Sequence, residues 1–294
     1  MIVVAANPYR GAARPRTRVE TLVTALAVAG RRARVVWDAE ERADLLGDPG
    51  AMAEVRCVVA AGGDGTVAAV LNELRGDVPL AVLPTGNENL FARALGFDVA
   101  PARLVRAIVG GASRRLDLGQ ARTATGTRRF GLMLSAGFDA DVIHRAARWR
   151  ASGGTPRRVG RASYVRPVGA ALWAYDHAPV SVTADGVTVT GAYCMIANLP
   201  DYPMALSLTP GARADDGLLD WVALERPGLM ALTGYAWAVI RARHRALSHV
   251  RGGRARRFRL SSTAPVPVQL DGEPGGCTPV DIEVLPAALA VVVV

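Results

Sequence analysis

The 294-residue chain contains no lysine; all 35 of its basic residues are arginine. A Walker A loop, the strand lysine of a protein kinase and a Schiff-base enzyme each need an amine, so all three chemistries are excluded. Cysteine is scarce as well. Cys57, Cys194 and Cys277 are odd in number and lack paired spacing, which speaks against a disulfide framework and for reduced thiols in a cytosolic protein. Aromatic residues make up 5% of the chain. With no recognition-helix or RNA-binding pattern, nucleic acid is not expected as a partner for the net charge of +9. An anionic membrane surface or a phosphorylated substrate suits that charge better. No long membrane-spanning run is present, and the apolar close at residues 287–294 suits a final buried strand. The chain enters strand-like Ile2-Val3-Val4-Ala5-Ala6 with no basic region ahead of it, unlike a signal peptide.

The most informative stretch is Ala60-Ala61-Gly62-Gly63-Asp64-Gly65-Thr66. The apolar run at 57–61 has the length and β-branched content of a buried strand and stops at two glycines. Beyond Thr66, Val67, Val70, Leu71 and Leu74 recur at one-face helical spacing. Strand, glycine turn and helix together offer backbone N–H groups and a helix start to an anion. Asp64 would repel a bare phosphate, so a metal–nucleotide complex is the better ligand. The plain alternative is a tight turn with Asp64 as a helix cap.

Similar units flank this one. The strand at 2–6 runs into Asn7-Pro8-Tyr9-Arg10-Gly11, and Thr17 with Glu20 forms a candidate capping box for a helix ending at Gly30. A strand at 80–83 runs into Pro84-Thr85-Gly86-Asn87-Glu88-Asn89 and a helix from Leu90. Repeated strand–helix units imply a mostly parallel sheet whose ligand edge would gather Asn7, Gly62 to Thr66 and Gly86 to Asn89. From Leu116 onward strands are many and turns tight, Asp185-Gly186 marking a hairpin. Helices are expected at 162–175, with Pro167 inside, and at 229–247. The expected architecture is an α/β N-terminal domain over 1–114 and a mostly antiparallel β-rich domain over 115–294, whose last strand has the option of returning to the first.

Two arginine-rich stretches, 145–161 (Arg148, Arg150, Arg157, Arg158 and Arg161) and 241–259, read either as a solvated basic surface or as docking points for anionic headgroups. The four histidines show no metal spacing. Asp271-Gly272-Glu273 reads as a β-turn between strands or as a pair of carboxylates for acid–base work. Asp215-Asp216-Gly217 reads as another turn or as an oxygen site for a hard cation.

Taken in order, Asn7-Pro8 with Gly11, Gly62-Gly63-Asp64-Gly65-Thr66, the segment from Pro84 to Arg93, Arg115-Leu116-Asp117-Leu118-Gly119, Gly137-Phe138-Asp139-Ala140, Asp215-Asp216-Gly217-Leu218-Leu219-Asp220 and Leu270-Asp271-Gly272-Glu273 resemble the motifs of the diacylglycerol kinase catalytic-domain family, which includes bacterial lipid kinases and the sphingosine and ceramide kinases. The resemblance covers nearly the whole chain. It implies a fold related to phosphofructokinases and NAD kinases, with ATP and Mg²⁺ as cofactors, a lipid pocket in the β-rich domain, and transfer of the γ-phosphoryl group to a lipid hydroxyl. It implies nucleotide contacts at Asn7, Pro8, Gly11, Gly62, Gly63, Asp64, Gly65, Thr66, Gly86, Asn87 and Asn89. Asp64, Asp271 and Glu273 are the candidate catalytic residues, with Glu273 favoured over Asp271 as the base by family practice. Asp215, Asp216 and Leu218 are implied around a structural Mg²⁺. The third element departs from the family pattern, with Asn87 where Thr is usual and Leu90 where Asp is usual, and Ala68 stands where an Asn is usual. The expected setting is cytoplasmic and peripheral at an anionic membrane, with a lipid substrate, no nucleic acid, and a homodimer among the open oligomeric states. The competing readings are a kinase of NAD or another soluble hydroxyl compound, and a non-catalytic nucleotide- or lipid-binding relative.

Overall fold

A computed structural model describes residues 1–7, 13–152 and 177–294. The expectations placed on Pro8, Gly11, Arg157, Arg158, Arg161 and the helix at 162–175 lie outside the described residues. The chain divides into two units, Met1–Leu116 with Ala287–Val294, and Asp117–Pro286.

In the first unit, β1 (Ile2–Ala6), α1 (Ala13–Val28), β2 (Ala33–Val36), α2 (Ala39–Gly47), α3 (Pro49–Met52), β3 (Cys57–Gly62), α4 (Asp64–Glu73), β4 (Leu80–Pro84), α5 (Leu90–Ala94) and α6 (Pro101–Gly110) alternate as the apolar runs dictate. The strands lie in the order β2-β1-β3-β4 and every pairing is parallel. Each residue of β1, β3 and β4 is buried, as a sheet covered on both faces requires. The register sets Ala6 opposite Ala61 and Gly62 opposite Pro84, which brings the strands' carboxyl ends level. The Asp38 side chain starts α2 by accepting from the N–H groups of Glu40 and Glu41. Gly111 closes α6 at a φ of 72°. Arg42 grips both oxygens of Glu73 at 2.7 Å, tying α2 to α4.

Helix α1 begins at Ala13 rather than at the Thr17–Glu20 capping box. Thr17 is inside the helix, where its carbonyl accepts the Thr21 hydroxyl, and Glu20 pairs with Arg16 one turn back. Pro15 did not forbid the earlier start because the first helical turn tolerates a missing N–H.

The second unit holds most of β5 (Ser113–Thr123), then β6 (Gly126–Phe130), β7 (Met133–Ala136), α7 (Phe138–Ala151), β8 (Val180–Ala184), β9 (Val187–Gly191), β10 (Tyr193–Ala197), β11 (Leu219–Leu224), α8 (Leu229–Ile240), β12 (Val250–Ala255), β13 (Arg257–Ser261), β14 (Pro267–Leu270), β15 (Glu273–Cys277) and the first part of β16 (Val280–Val292). An antiparallel sheet in the order β12-β11-β10-β7-β14-β15 faces the antiparallel set β16-β13-β8-β9. Phe130, Val182, Ile196, Phe258, Val268 and Ile282 fill one shared core between them. The β8–β9 turn has Asp185 at φ 44° and Gly186 at φ 93°, the left-handed pair that a two-residue hairpin prefers.

The end of β16 belongs to the first unit, where Val291 pairs in parallel with Leu80 of β4. Helix α8 stops at Ile240, short of the expected Leu247, because Ala242 turns to a φ of 53°. The Arg243 N–H then reaches the Ala238 carbonyl and the Ala242 N–H that of Val239, a helix-closing hydrogen-bond pair.

Candidate active site

In the first unit Asn7, the Gly62 to Thr66 turn and the Gly86 to Asn89 loop stand at the carboxyl ends of three adjacent parallel strands. Asn7 leaves β1 with its N–H on the Ala61 carbonyl at 3.3 Å, and Thr85 leaves β4 with its N–H on the Gly62 carbonyl at 3.0 Å. These bonds stitch the strand ends together, so the positions expected at Asn7, Gly62 to Thr66 and Gly86 to Asn89 share one edge. Space explains the glycines. A Cβ at Gly62 would stand 2.0 Å from the Thr66 hydroxyl oxygen, and one at Gly86 would stand 2.5 Å from the Gly63 Cα.

Asn89 builds the third loop from within. Its amide oxygen accepts from the Gly86 N–H and its amide nitrogen donates to the Gly86 carbonyl, both at 2.9 Å, while its own backbone sits at a φ of 49°. Asparagine is among the few side chains that accept that conformation readily. Leu90, which stands where the family usually has an acid, is buried at the start of α5.

The Asp64 carboxylate accepts from the Phe91 N–H at 3.0 Å, and the amides of Leu90 and of Asp64 itself also draw on it. Asp64 therefore sits at the start of α4 and caps α5. Burial pushes its pKa up, against the pull of those amides. The amides at the α4 start and the glycine backbones form an edge suited to a polyphosphate chain, and the Asp64 carboxylate beside them suits one that arrives with a divalent cation.

In the second unit, Asp271 and Gly272 form the turn between β14 and β15, with φ values of 50° and 83°. Sequence reasoning missed β15 and treated this stretch as a turn leading straight to the next strand; glycines at 275 and 276 hide the strand from pattern reading. The two carboxylates of the turn have different surroundings. Asp271 is buried, and its oxygens accept from the N–H groups of Gly131, Leu132 and Met133 at 2.7, 2.9 and 3.0 Å. Its own N–H donates to the Met133 carbonyl at 2.9 Å. Asp271 is thus a clamp between two turns, its carboxylate oxygens engaged by three backbone amides. Glu273 opens β15, half-buried, and its carboxylate forms no hydrogen bond or ion pair with the described residues.

Behind this turn lies a polar cluster to which sequence reasoning assigned no role. Asp139, from the Gly137-Phe138-Asp139-Ala140 motif, accepts from Ser135 at 2.7 and 2.8 Å, from Tyr202 at 3.1 Å and from Tyr193 at 3.2 Å. Gln269 donates to Ser135 at 2.8 Å and accepts from the Gly272 N–H at 2.8 Å, so the cluster reaches the backbone between Asp271 and Glu273. Burial raises the Asp139 pKa despite its hydroxyl donors and raises both tyrosines well above their ordinary value. The sequence signal for this cluster is weak: Ser135 and Asp139 are four residues apart, but Tyr193, at the start of β10, and Tyr202 come from distant parts of the chain.

Asp215, Asp216 and Leu218 do not fit a cation site as arranged. Asp215 is engaged by Arg213 at 3.1 Å. Asp216 accepts from the Leu218 N–H at 3.1 Å and from Arg254 at 3.2 Å. Two guanidiniums thus neutralise the two carboxylates, and among the described residues no cluster of three acidic, histidine or cysteine side chains could hold a metal. Asp117, buried, instead accepts from the Gly217 N–H at 2.7 Å and fixes the turn directly.

Residues 1–121 match the description "Diacylglycerol kinase catalytic domain", and residues 132–293 match "YegS C-terminal NAD kinase beta sandwich-like domain". The chain is 30% identical over 240 residues to a diacylglycerol kinase of Mycobacterium tuberculosis (strain ATCC 25618 / H37Rv), covering 80% of this chain and 75% of that protein. Its fold is similar to that of a diacylglycerol kinase from Bacillus anthracis str. Sterne, with a TM-score of 0.69 and 17% identity over 100% of this chain and 96% of that one. It is also similar to that of an NAD kinase from Archaeoglobus fulgidus in complex with ATP, with a TM-score of 0.55 and 13% identity over 99% and 93% of the two chains. The structural likenesses speak to fold, and the fold is the one expected: a parallel α/β unit and an antiparallel β unit related to NAD kinases.

Proposed function

The chain belongs to the diacylglycerol kinase catalytic-domain family, and from that premise we propose that it transfers the γ-phosphoryl group of ATP to the hydroxyl of a diacylglycerol-like or long-chain lipid. The observation that carries the nucleotide half of this reading is the shared edge formed by Asn7, the Gly62 to Thr66 turn and the Gly86 to Asn89 loop. Phosphoryl transfer asks a protein mainly for positioning and charge neutralisation, and backbone N–H groups on a strand-end edge supply both without a lysine. ATP enters as its magnesium complex, the metal being part of the substrate.

Glu273 is the general base in this reading. It carries the carboxylate of its turn that is left to take the alcohol proton, while Asp271 holds the turn through the three amides of residues 131–133. The cluster of Asp139, Ser135 and Gln269 steadies the same turn through the Gly272 N–H. A lipid substrate places this reaction at a membrane surface; no helix among the described residues is long and apolar enough to span a bilayer.

The test is incubation of the purified protein with labelled Mg·ATP and either diacylglycerol or a long-chain base in mixed micelles, beside a lipid-free arm with NAD. Label in the lipid that disappears with Glu273→Gln supports the reading. Label only in NAD, or ATP binding with no transfer to any acceptor, overturns it.

A further inference from the structure

Helix α8 presents an unusual face to solvent. Its sequence, Leu-Met-Ala-Leu-Thr-Gly-Tyr-Ala-Trp-Ala-Val-Ile, contains no charged residue. Its inner side buries Tyr235, Ala238 and Val239, with the Tyr235 hydroxyl accepting from the Arg226 N–H and donating to the His249 carbonyl. The outer side is also apolar. Met230 is 90% exposed, Trp237 58% and Ile240 62%, and their spacing of seven and three residues sets them on one stripe. A water-facing helix of a globular unit is normally polar on that side. Leu229, next to Met230, is 53% exposed as well, whereas Val28, Val187 and Met204 stand on other elements, as ordinary surfaces allow.

The charge flanking this stripe along the chain is mostly positive, and Glu225, just ahead of it, is paired with Arg251 at 2.9 Å. Residues 226–270 contain nine arginines and no aspartate or glutamate. Arg226 precedes α8, and Arg241 and Arg243 follow it; all three are exposed, and none forms a salt bridge with a described residue. The Arg241 guanidinium lies over the Trp237 ring, 4.3 Å from its centre. An uncharged helix with tryptophan on its outer stripe and cations at both ends has the composition of an element that lies in a bilayer interface. At 12 residues it is too short to span one. A second copy of the same face would set arginine against arginine, whereas anionic headgroups complement the rim at about 1 kcal/mol per arginine.

We infer that α8 is the surface through which this protein docks on an anionic lipid bilayer, with Met230, Trp237 and Ile240 entering the headgroup boundary and Arg226, Arg241 and Arg243 meeting lipid phosphates. This deepens the proposed function, because it names how a lipid-directed kinase reaches its substrate, but it uses none of the phosphate-binding loops. The full chain is sedimented with vesicles of phosphatidylcholine alone and with added phosphatidylglycerol, as wild type, Met230→Ser/Trp237→Ser and Glu273→Gln. The expected result is binding to the anionic vesicles that weakens with salt, falls on the order of tenfold or more in the double variant with unchanged Tm, and is unaltered in Glu273→Gln. Absence of wild-type binding overturns the inference, as does equal binding by the double variant. A wild-type dimer that Trp237→Ser converts to monomer also overturns it, since the face would then belong to a second copy. Loss of vesicle binding in the double variant, with no lipid phosphorylated by any form, leaves α8 as the docking surface and removes the kinase reading instead.

Discussion

Gly63 and Gly86 meet backbone to backbone: a Cβ on Gly86 would stand 2.5 Å from the Gly63 Cα, and a Cβ on Gly63 would stand 3.2 Å from the Gly86 Cα. Neither glycine has a positive φ, so the requirement is for room and not for an unusual conformation. The turn after β3 and the loop after β4 therefore form one packed unit, and a methyl group at either position forces both apart.

Gly86→Ala is expected to displace both loops. Overpacking of this kind costs about 1–3 kcal/mol of stability, and a shift near 1 Å in a positioned phosphate lowers transfer on the order of 10²-fold. Thermal unfolding and ATP-dependent turnover measured on the same preparation check this; unchanged values for both would show that the loops separate freely.

Asp271 and Glu273 should respond oppositely to neutralisation. Asp271→Asn presents an amide N–H to backbone donors that need an acceptor, and is expected to lower stability by roughly 1–3 kcal/mol. Glu273→Gln should leave Tm unchanged and reduce phosphoryl transfer by about 10²–10⁴-fold. Denaturant melts and single-turnover rates separate the two, and full activity in Glu273→Gln would remove the base.

Asp64 joins two roles that two substitutions can part. Asp64→Ala removes the acceptor for the Phe91 N–H, with an expected loss of about 0.5–2 kcal/mol for the cap. Asp64→Asn keeps a carbonyl acceptor there and removes only the charge. If the charge serves the nucleotide, Asp64→Asn unfolds near the wild-type temperature while turnover drops as far as in Asp64→Ala. Wild-type turnover in Asp64→Asn would reduce Asp64 to a helix cap.

The Asp139 carboxyl is held above its ordinary pKa by burial, against the pull of the Ser135, Tyr202 and Tyr193 hydroxyls. A carboxyl that binds its proton more tightly in the folded state favours folding fully below the unfolded value of about 3.9, and that contribution is lost as pH rises through the folded value. Asp139→Asn removes the titration. The stability of wild type relative to Asp139→Asn should therefore decline from about pH 4 toward neutrality. Melting both proteins across that window checks the sign; a difference independent of pH would mean that Asp139 titrates alike folded and unfolded.

Much of the first unit was legible because its information is local. The apolar runs of β1, β3 and β4, the glycine stops and the helical spacing after Thr66 each declare an element without reference to distant residues. Where local signals compete, reading fails: the Thr17–Glu20 pair imitates a capping box inside a helix that had already begun. The departure at Leu90 also becomes intelligible in three dimensions, since the residue is buried where α5 packs.

The second unit was legible in class but not in detail. Short strands with tight turns announce an antiparallel unit, yet β15, with two glycines among its five residues, has no strand pattern. The polar cluster around Asp139 escaped for a different reason. Tyr193 and Tyr202 lie 54 and 63 residues from Asp139 along the chain, and no spacing rule connects them.

The order of motifs along the chain was enough to settle the family and the architecture, because strand, turn and helix preferences act over a few residues and need no partner. The division of labour between Asp271 and Glu273 was not contained in that order. Two residues apart, they look interchangeable until folding brings the amides of residues 131–133 against Asp271 and leaves Glu273 without a partner among the described residues; burial and hydrogen-bond competition between distant segments, which exist only in the folded chain, set the two apart.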